Sequence, residues 1–184
     1  MKRGIVGAAL VATVALATIG GVGCGGEEPV AEPPVRTASD PNNPEVSCDT
    51  ILGGARYSGT ELDDRLLFDV VYVPASYRPD TAIPSGKKTW PYSADAGLII
   101  RGDAPPVEIS VPKEWRNRAA ISWGNKKIVH SLRFASCPPY GLPWNAYDGS
   151  FHLRARTACV PLTFTVEGES KTIRFGVGTR CKPA

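Results

Sequence analysis

Histidine and methionine are scarce: the 184 residues hold two His, His130 and His152, and one Met. Two imidazoles do not make a Cys/His zinc site of ordinary ligand spacing. The sequence also lacks an HExxH helix, a Gly-rich phosphate cradle and a strand-turn-helix nucleophile elbow. The expectation is therefore no metal and no cofactor. Charge of one sign is lacking as well. The 21 Lys and Arg stand against 18 Asp and Glu, and removing Lys2 and Arg3 with a cleaved leader leaves 19 against 18, about +1. A chain this close to neutral has no electrostatic footprint for nucleic acid, which is not an expected partner. No apolar stripe of 3.6-residue period reaches helical length, and one short turn at 112–118 is the most that is expected. With 42% hydrophobic residues, and 19 Gly plus 17 Pro making about a fifth of the chain, collagen-like and wholly disordered classes are excluded.

A long apolar run occurs once, at the start. Met1-Lys2-Arg3 precedes an uncharged stretch of Ala, Val, Ile, Leu, Gly and Thr over residues 4–23, the layout of an export signal. The run ends Gly21-Val22-Gly23-Cys24. This resembles the bacterial lipobox, in which the Cys is acylated and becomes the mature N-terminus, and departs from it at Gly21, where a larger aliphatic is usual. Cysteine parity agrees: of five Cys, assigning Cys24 to a lipid leaves Cys48, Cys137, Cys159 and Cys181, an even set for an oxidising compartment. Ordinary cleavage with one free thiol and an uncleaved membrane helix are the alternatives. Residues 1–23 are read as signal peptide. Residues 24–45 are read as a lipid-anchored, disordered tether, rich in Pro and acid and too poor in large apolar side chains to fold alone. Residues 46–184 are the domain.

That domain reads as strands. Leu132 and Phe134 alternate with Ser131 and Arg133. Phe151, Leu153 and Ala155 alternate with His152, Arg154 and Arg156. Leu162, Phe164 and Val166 alternate with Thr163 and Thr165, and Ile173, Phe175 and Val177 with Thr172 and Arg174. Period two means one buried and one solvated face. Glu167-Gly168-Glu169 reads as a hairpin turn, and Gly124-Asn125-Lys126-Lys127 joins a strand at 119–123 to one at 128–136. Earlier strands are expected at 65–73, 97–101 and 107–111. About eight strands with frequent turns predict an all-β fold, an antiparallel β-sandwich, immunoglobulin-like in the broad sense, with a jelly roll as runner-up. If the strands near 136, 150, 160 and 171 alternate in direction, Cys159 and Cys181 share one end of the sheet. That favours Cys159 with Cys181, and Cys48 with Cys137 by elimination; the pairing of Cys137 with Cys159 remains open.

The phrases EWRNRAAISWGN, SLRFASC, WNAYDGSF, ACVPLTFTVEG and TIRFGVGTRC resemble those of a family of uncharacterised exported proteins and lipoproteins of actinobacteria. The resemblance covers most of residues 60–181. It implies an envelope location and carries no chemistry.

Two surface features are candidate binding sites. In the connection CPPYGLPWNAYDGSF, Tyr140, Trp144 and Tyr147 offer rings to a sugar face, and Asn145 and Asp148 offer hydrogen bonds to its hydroxyls; the alternative is that Trp144 plugs the end of the sandwich. Arg133, Arg154, Arg156 and Arg174, with His152 among them, form a basic face suited to anionic envelope polymer or lipid headgroups, or else are ordinary outward residues. His152 is read as a solvated strand residue rather than a general base. Asp63, Asp64 and Asp69 are the weak candidates for a glycosidase carboxylate pair.

The sequence thus points to an exported lipoprotein on the outer face of the cytoplasmic membrane, a non-catalytic binding module for envelope glycan or polymer. A structural lipoprotein supporting another exported protein is the alternative, and a small hydrolase a weaker one. Cys24→Ala is expected to move the protein from the membrane fraction into the medium, or to leave an uncleaved precursor, as read by fractionation and N-terminal mapping. Unchanged partitioning and processing would reject the lipid anchor.

Overall fold

The computed structural model describes residues 40–56, 66–73, 77–78, 80–124 and 127–181, all within the unit Ala38–Ala184. Residues 1–39, which include Cys24, the stretch read as signal peptide and most of that read as tether, lie outside the described residues. The strands are β1 (Glu45–Val46), β2 (Gly53–Ala55), β3 (Leu66–Leu67), β4 (Val71–Tyr72) and β5 (Tyr77–Arg78). They continue as β6 (Ile83–Pro84), β7 (Tyr92–Asp95), β8 (Leu98–Arg101), β9 (Val107–Ser110) and β10 (Ala119–Trp123). The last five are β11 (Ser131–Phe134), β12 (Trp144–Tyr147), β13 (Gly149–Leu153), β14 (Ala158–Val166) and β15 (Glu169–Val177). Single 3-10 turns form at Cys48–Thr50 and Lys113–Trp115, the latter inside the expected short turn.

The fold is all-β, a sandwich of largely antiparallel sheets closed by two disulfides. One layer is the sheet β1-β11-β9-β14-β15-β5, in which only the two edge pairs, β1 with β11 and β5 with β15, are parallel. The other layer comprises β10-β13-β7-β6 and β2-β12-β8-β4-β3. These two sheets share one backbone ladder. Tyr147 pairs Leu98 and Ser150 pairs Asp95, so the register of β12 on β8 runs unchanged into β13 on β7. Between them the Ala96 N–H donates to the Gly149 carbonyl at 2.8 Å.

Side-chain alternation also continues through the junction. Leu98, Ile100, Tyr147, Phe151 and Leu153 all face the core. Gly149 falls on that inner side, where an added Cβ would lie 2.3 Å from the Trp123 ring; a side chain there would evict the indole. The layers meet through aromatic edges: Phe134 on Tyr147 with ring centroids 4.8 Å apart, and Phe151 on Phe175 at 5.5 Å.

The alternating runs of β11, β14 and β9 bury the residues that period two selects. The β14–β15 hairpin turns at Glu167 and Gly168, both with positive φ, as a two-residue loop requires. Four expectations are corrected. The 65–73 run is not one strand: Phe68 and Asp69 take positive φ, folding it into the β3–β4 hairpin. After Gly124 the chain pairs back only at Ile121 with Val129, and then crosses to the other layer as β11. β13 ends at Leu153, and Ala155 is exposed. The fold also begins before residue 46. Glu45 is in β1, Ser131 Oγ donates to Asn43 Oδ1 at 3.0 Å, and Arg133 N–H donates to the Pro44 carbonyl at 3.1 Å. Composition misses this arm because much of what holds it is hydrogen bonding to β11, with Pro44 and Val46 as its buried apolar side chains.

Cys48 is bonded to Cys137 and Cys159 to Cys181, with Cα atoms 5.5 and 5.4 Å apart. The competing pairing of Cys137 with Cys159 is excluded. The separations are 89 and 22 residues, so chain entropy predicts ~4.5 kcal/mol from the first bridge and ~3.5 kcal/mol from the second. Replacing Cys48 and Cys137 together by Ala is expected to lower the melting temperature by several degrees more than replacing Cys159 and Cys181. The reverse order would show that the arm is held without its bridge.

Candidate functional site

The aromatic segment is not an exposed platform. β12 carries Trp144, Asn145 and Tyr147 into the structure, at 9%, 1% and 3% exposure. Tyr147 is a core residue, and burial raises its pKa above the ordinary value, partly opposed by a hydrogen bond with Asn145. Asn145 is spent on the neighbouring loop. Its Oδ1 accepts from Tyr140 N–H at 2.8 Å, and its Nδ2 donates to the Pro138 carbonyl at 3.0 Å. Tyr140 and Asp148 are exposed. The sugar-stacking reading of Trp144 and Tyr147 is therefore corrected: the segment is a strand, and pairing with β2 and β8 draws its side chains in.

The basic face is also divided. Arg133 and Arg174 point outward from β11 and β15, with β9 and β14 between them and a four-residue offset along the strands. Arg133 is bonded to Glu45 at 3.2 Å. Arg154 and Arg156 follow β13, in the other layer. Strand alternation selects outward residues but does not tell which layer carries them.

His152 is 6% exposed, not solvated. It does lie on the outer face of β13, opposite Phe151, but Ser122 Oγ sits 2.8 Å from its Nε2 and Lys87 is near enough to act on its charge. Its Nδ1 is buried with no partner among the described residues. Burial first, and then Lys87, lowers its pKa from 6.5 to about 4. The Ser122–His152 pair has the atoms of a nucleophile and base, yet it is enclosed. No spacing signal links residues 122 and 152 before the register of β10 on β13 is known. Asp69 lies in the β3–β4 turn, and Asp63 and Asp64 lie outside the described residues.

The cleft that the fold does build was not foreseen. Asp40, Asn42 and Asn43 form one wall, Glu108 of β9 and Ser131 of β11 the floor, and Arg116 with residues 128–130 the far side, enclosing about 490 Å³. Hydrogen bonds hold the wall in place. Asn42 N–H donates to Asp40 Oδ1 at 2.8 Å, and Ser131 Oγ reaches Asn43 Oδ1 at 3.0 Å and Glu108 Oε1 at 3.3 Å. Arg116 Nε donates to the Val111 carbonyl at 3.2 Å, which fixes the guanidinium at the rim. Carboxylates, amides, a hydroxyl and a guanidinium thus converge. Such a set can hold a multiply hydroxylated ligand by hydrogen bonds. Among the described residues no group of three or more His, Cys, Asp or Glu is placed to hold a metal.

Comparison with protein-family models, curated proteins and solved structures finds no match. The resemblance noted in the sequence rests on its phrases alone.

A folded-state pKa near 4 for His152 has a signed consequence. Above about pH 6.5 both folded and unfolded forms are neutral there. Below it the unfolded chain takes up a proton that the folded chain resists, so stability falls between about pH 6.5 and pH 4, by on the order of 3 kcal/mol. Denaturant titrations at neutral and acid pH should show a smaller acid loss in His152→Gln. An equal pH slope in the variant would place the acid sensitivity elsewhere.

Proposed function

We propose that this chain is an exported, lipid-anchored, non-catalytic binding module of the bacterial envelope, taking polar glycan or polymer in the cleft between residues 40–43 and β9–β11. The single observation that carries the reading is that cleft: about 490 Å³ lined by acids, amides and Arg116 on a disulfide-closed sandwich. A donor-and-acceptor lining suits hydroxyls better than hydrocarbon. The signal-like start and the Cys24 motif support the location, and the disulfides are compatible with it.

A second reading has its own observation. Around Pro139, Leu142 and Pro143 lies an open apolar groove of about 570 Å³, and Tyr140 in the same loop is exposed. This rim favours an interaction lipoprotein that supports another exported protein.

Purified envelope polysaccharides separate the two. Retention by the unmodified protein, weakened about tenfold or more by Glu108→Gln or Arg116→Gln, is expected for the binding module. Retention unchanged in both variants, or no polysaccharide bound, would reject the cleft and put the interaction reading ahead.

A further inference from the structure

At one end of the β10-β13-β7-β6 sheet the structure gathers cations that are far apart in sequence. Arg154 N–H donates to the Arg118 carbonyl at 3.1 Å, placing the two residues side by side. Ala82 N–H donates to the Arg156 carbonyl at 2.8 Å, which brings the segment 82–90 along the same edge. Within that segment Ser85 Oγ bonds the Trp90 carbonyl and accepts from Lys87 N–H. Lys87 faces His152 closely enough to act on its charge. Lys87, Arg118, Arg154 and Arg156 are all exposed, and none of the four forms an ion pair with a described residue.

Two further observations narrow the partner. The guanidinium of Arg154 lies 5.6 Å above the Trp90 ring and that of Arg118 lies 5.4 Å above Trp115. Trp90 is buried and each ring carries a cation on a face, so the patch offers charge rather than a free aromatic surface for a sugar. In the same place Ile83 is 65% exposed. It pairs with Ser93, which pairs with His152, so register puts its side chain on the outer face that carries the cations. An aliphatic side chain among unpaired Arg and Lys is the pattern of a surface that sits at the boundary between lipid headgroups and acyl chains.

We propose that this face is a second membrane contact, docking on anionic lipid headgroups with Ile83 entering the interface. The inference rests on the reading of the chain as membrane-anchored: anchoring gives a high effective concentration at the bilayer, which makes a weak patch sufficient. Arg suits the lipid phosphate through paired hydrogen bonds.

The test uses the mature chain from residue 24 carrying Cys24→Ala, so that no acyl group contributes. It is sedimented with phosphatidylcholine vesicles made with and without phosphatidylglycerol. Binding is expected only with phosphatidylglycerol, falling as salt is added. Each cation removed from the patch, as in Arg154→Gln and Arg156→Gln, should weaken it roughly fivefold. Ile83→Ser should weaken it further, whereas Arg133→Gln with Arg174→Gln, on the other layer, should leave it unchanged. Absence of phosphatidylglycerol-dependent binding, or an equal loss from the Arg133 and Arg174 pair, would overturn the proposal. Binding to soluble dextran sulfate that is as tight and insensitive to Ile83→Ser would assign the face to a soluble polyanion and overturn it equally. Acylation of Cys24 is read separately, by partitioning of the unmodified chain, so failure of the anchor and failure of this face are distinguishable.

Discussion

The antiparallel ladder of β7–β8 on β12–β13 is the constraint on which the rest of the structure depends. Its register does not slip where the sheet assignment breaks, so one set of side chains, from Leu98 and Ile100 to Tyr147 and Leu153, faces the other layer along its whole length. A slip of one residue would turn that set to solvent and bring its outward neighbours into the core. Trp123 lying against Gly149 fixes the same register from β10, because only a residue without a side chain fits beneath the indole. The layers then meet where aromatic edges from both sheets coincide, at Phe134–Tyr147 and Phe151–Phe175.

Given this ladder, polar residues buried in the second layer have structural work. Asn145 joins the 138–140 loop to β12, and His152 meets Ser122 across β13 and β10. Buried polar groups that are satisfied fix geometry, while an unsatisfied one is costly. Burial, with Lys87 nearby, keeps His152 uncharged within the fold. It also leaves the periphery as the place for ligand contacts, where the cleft at residues 40–43, the apolar rim near Tyr140 and the cationic edge near Arg154 all lie.

The fold class was legible because period-two alternation is strong in β9, β11 and β14, and because turn residues punctuate the chain. Strand direction favours Cys159 with Cys181 and elimination gives Cys48 with Cys137, while the pairing of Cys137 with Cys159 stays open until the bridges themselves are seen. What could not be read depends on contacts distant in sequence. Alternation assigns His152 to the outer face correctly, but not the Ser122 and Lys87 neighbours that it meets there. The Pro-rich look of residues 138–143 suggests a loop through Tyr147, yet Trp144 to Tyr147 pair with strands on either side. The cleft was invisible because its wall, residues 40–43, has linker composition, and Glu108 and Ser131 become neighbours only when β9 pairs with β11.

That wall is also the least self-sufficient part of the site. β1 is two residues long and pairs in parallel with the edge of β11, and Val46 is its single fully buried side chain. Beyond it, the arm is held by the Asn43–Ser131 contact, the exposed Arg133–Glu45 pair and the Cys48–Cys137 bridge. An exposed ion pair contributes at most about 1 kcal/mol, and one hydrogen bond a similar amount. The covalent link is therefore the largest single restraint on the arm. Because that bridge closes the chain between the arm and the end of β11, the shape of the cleft is tied to the oxidised state of the protein. A compartment that keeps Cys48 and Cys137 bonded keeps the cleft assembled; reduction would loosen the wall first while the β14–β15 hairpin and the central ladder retain their own packing.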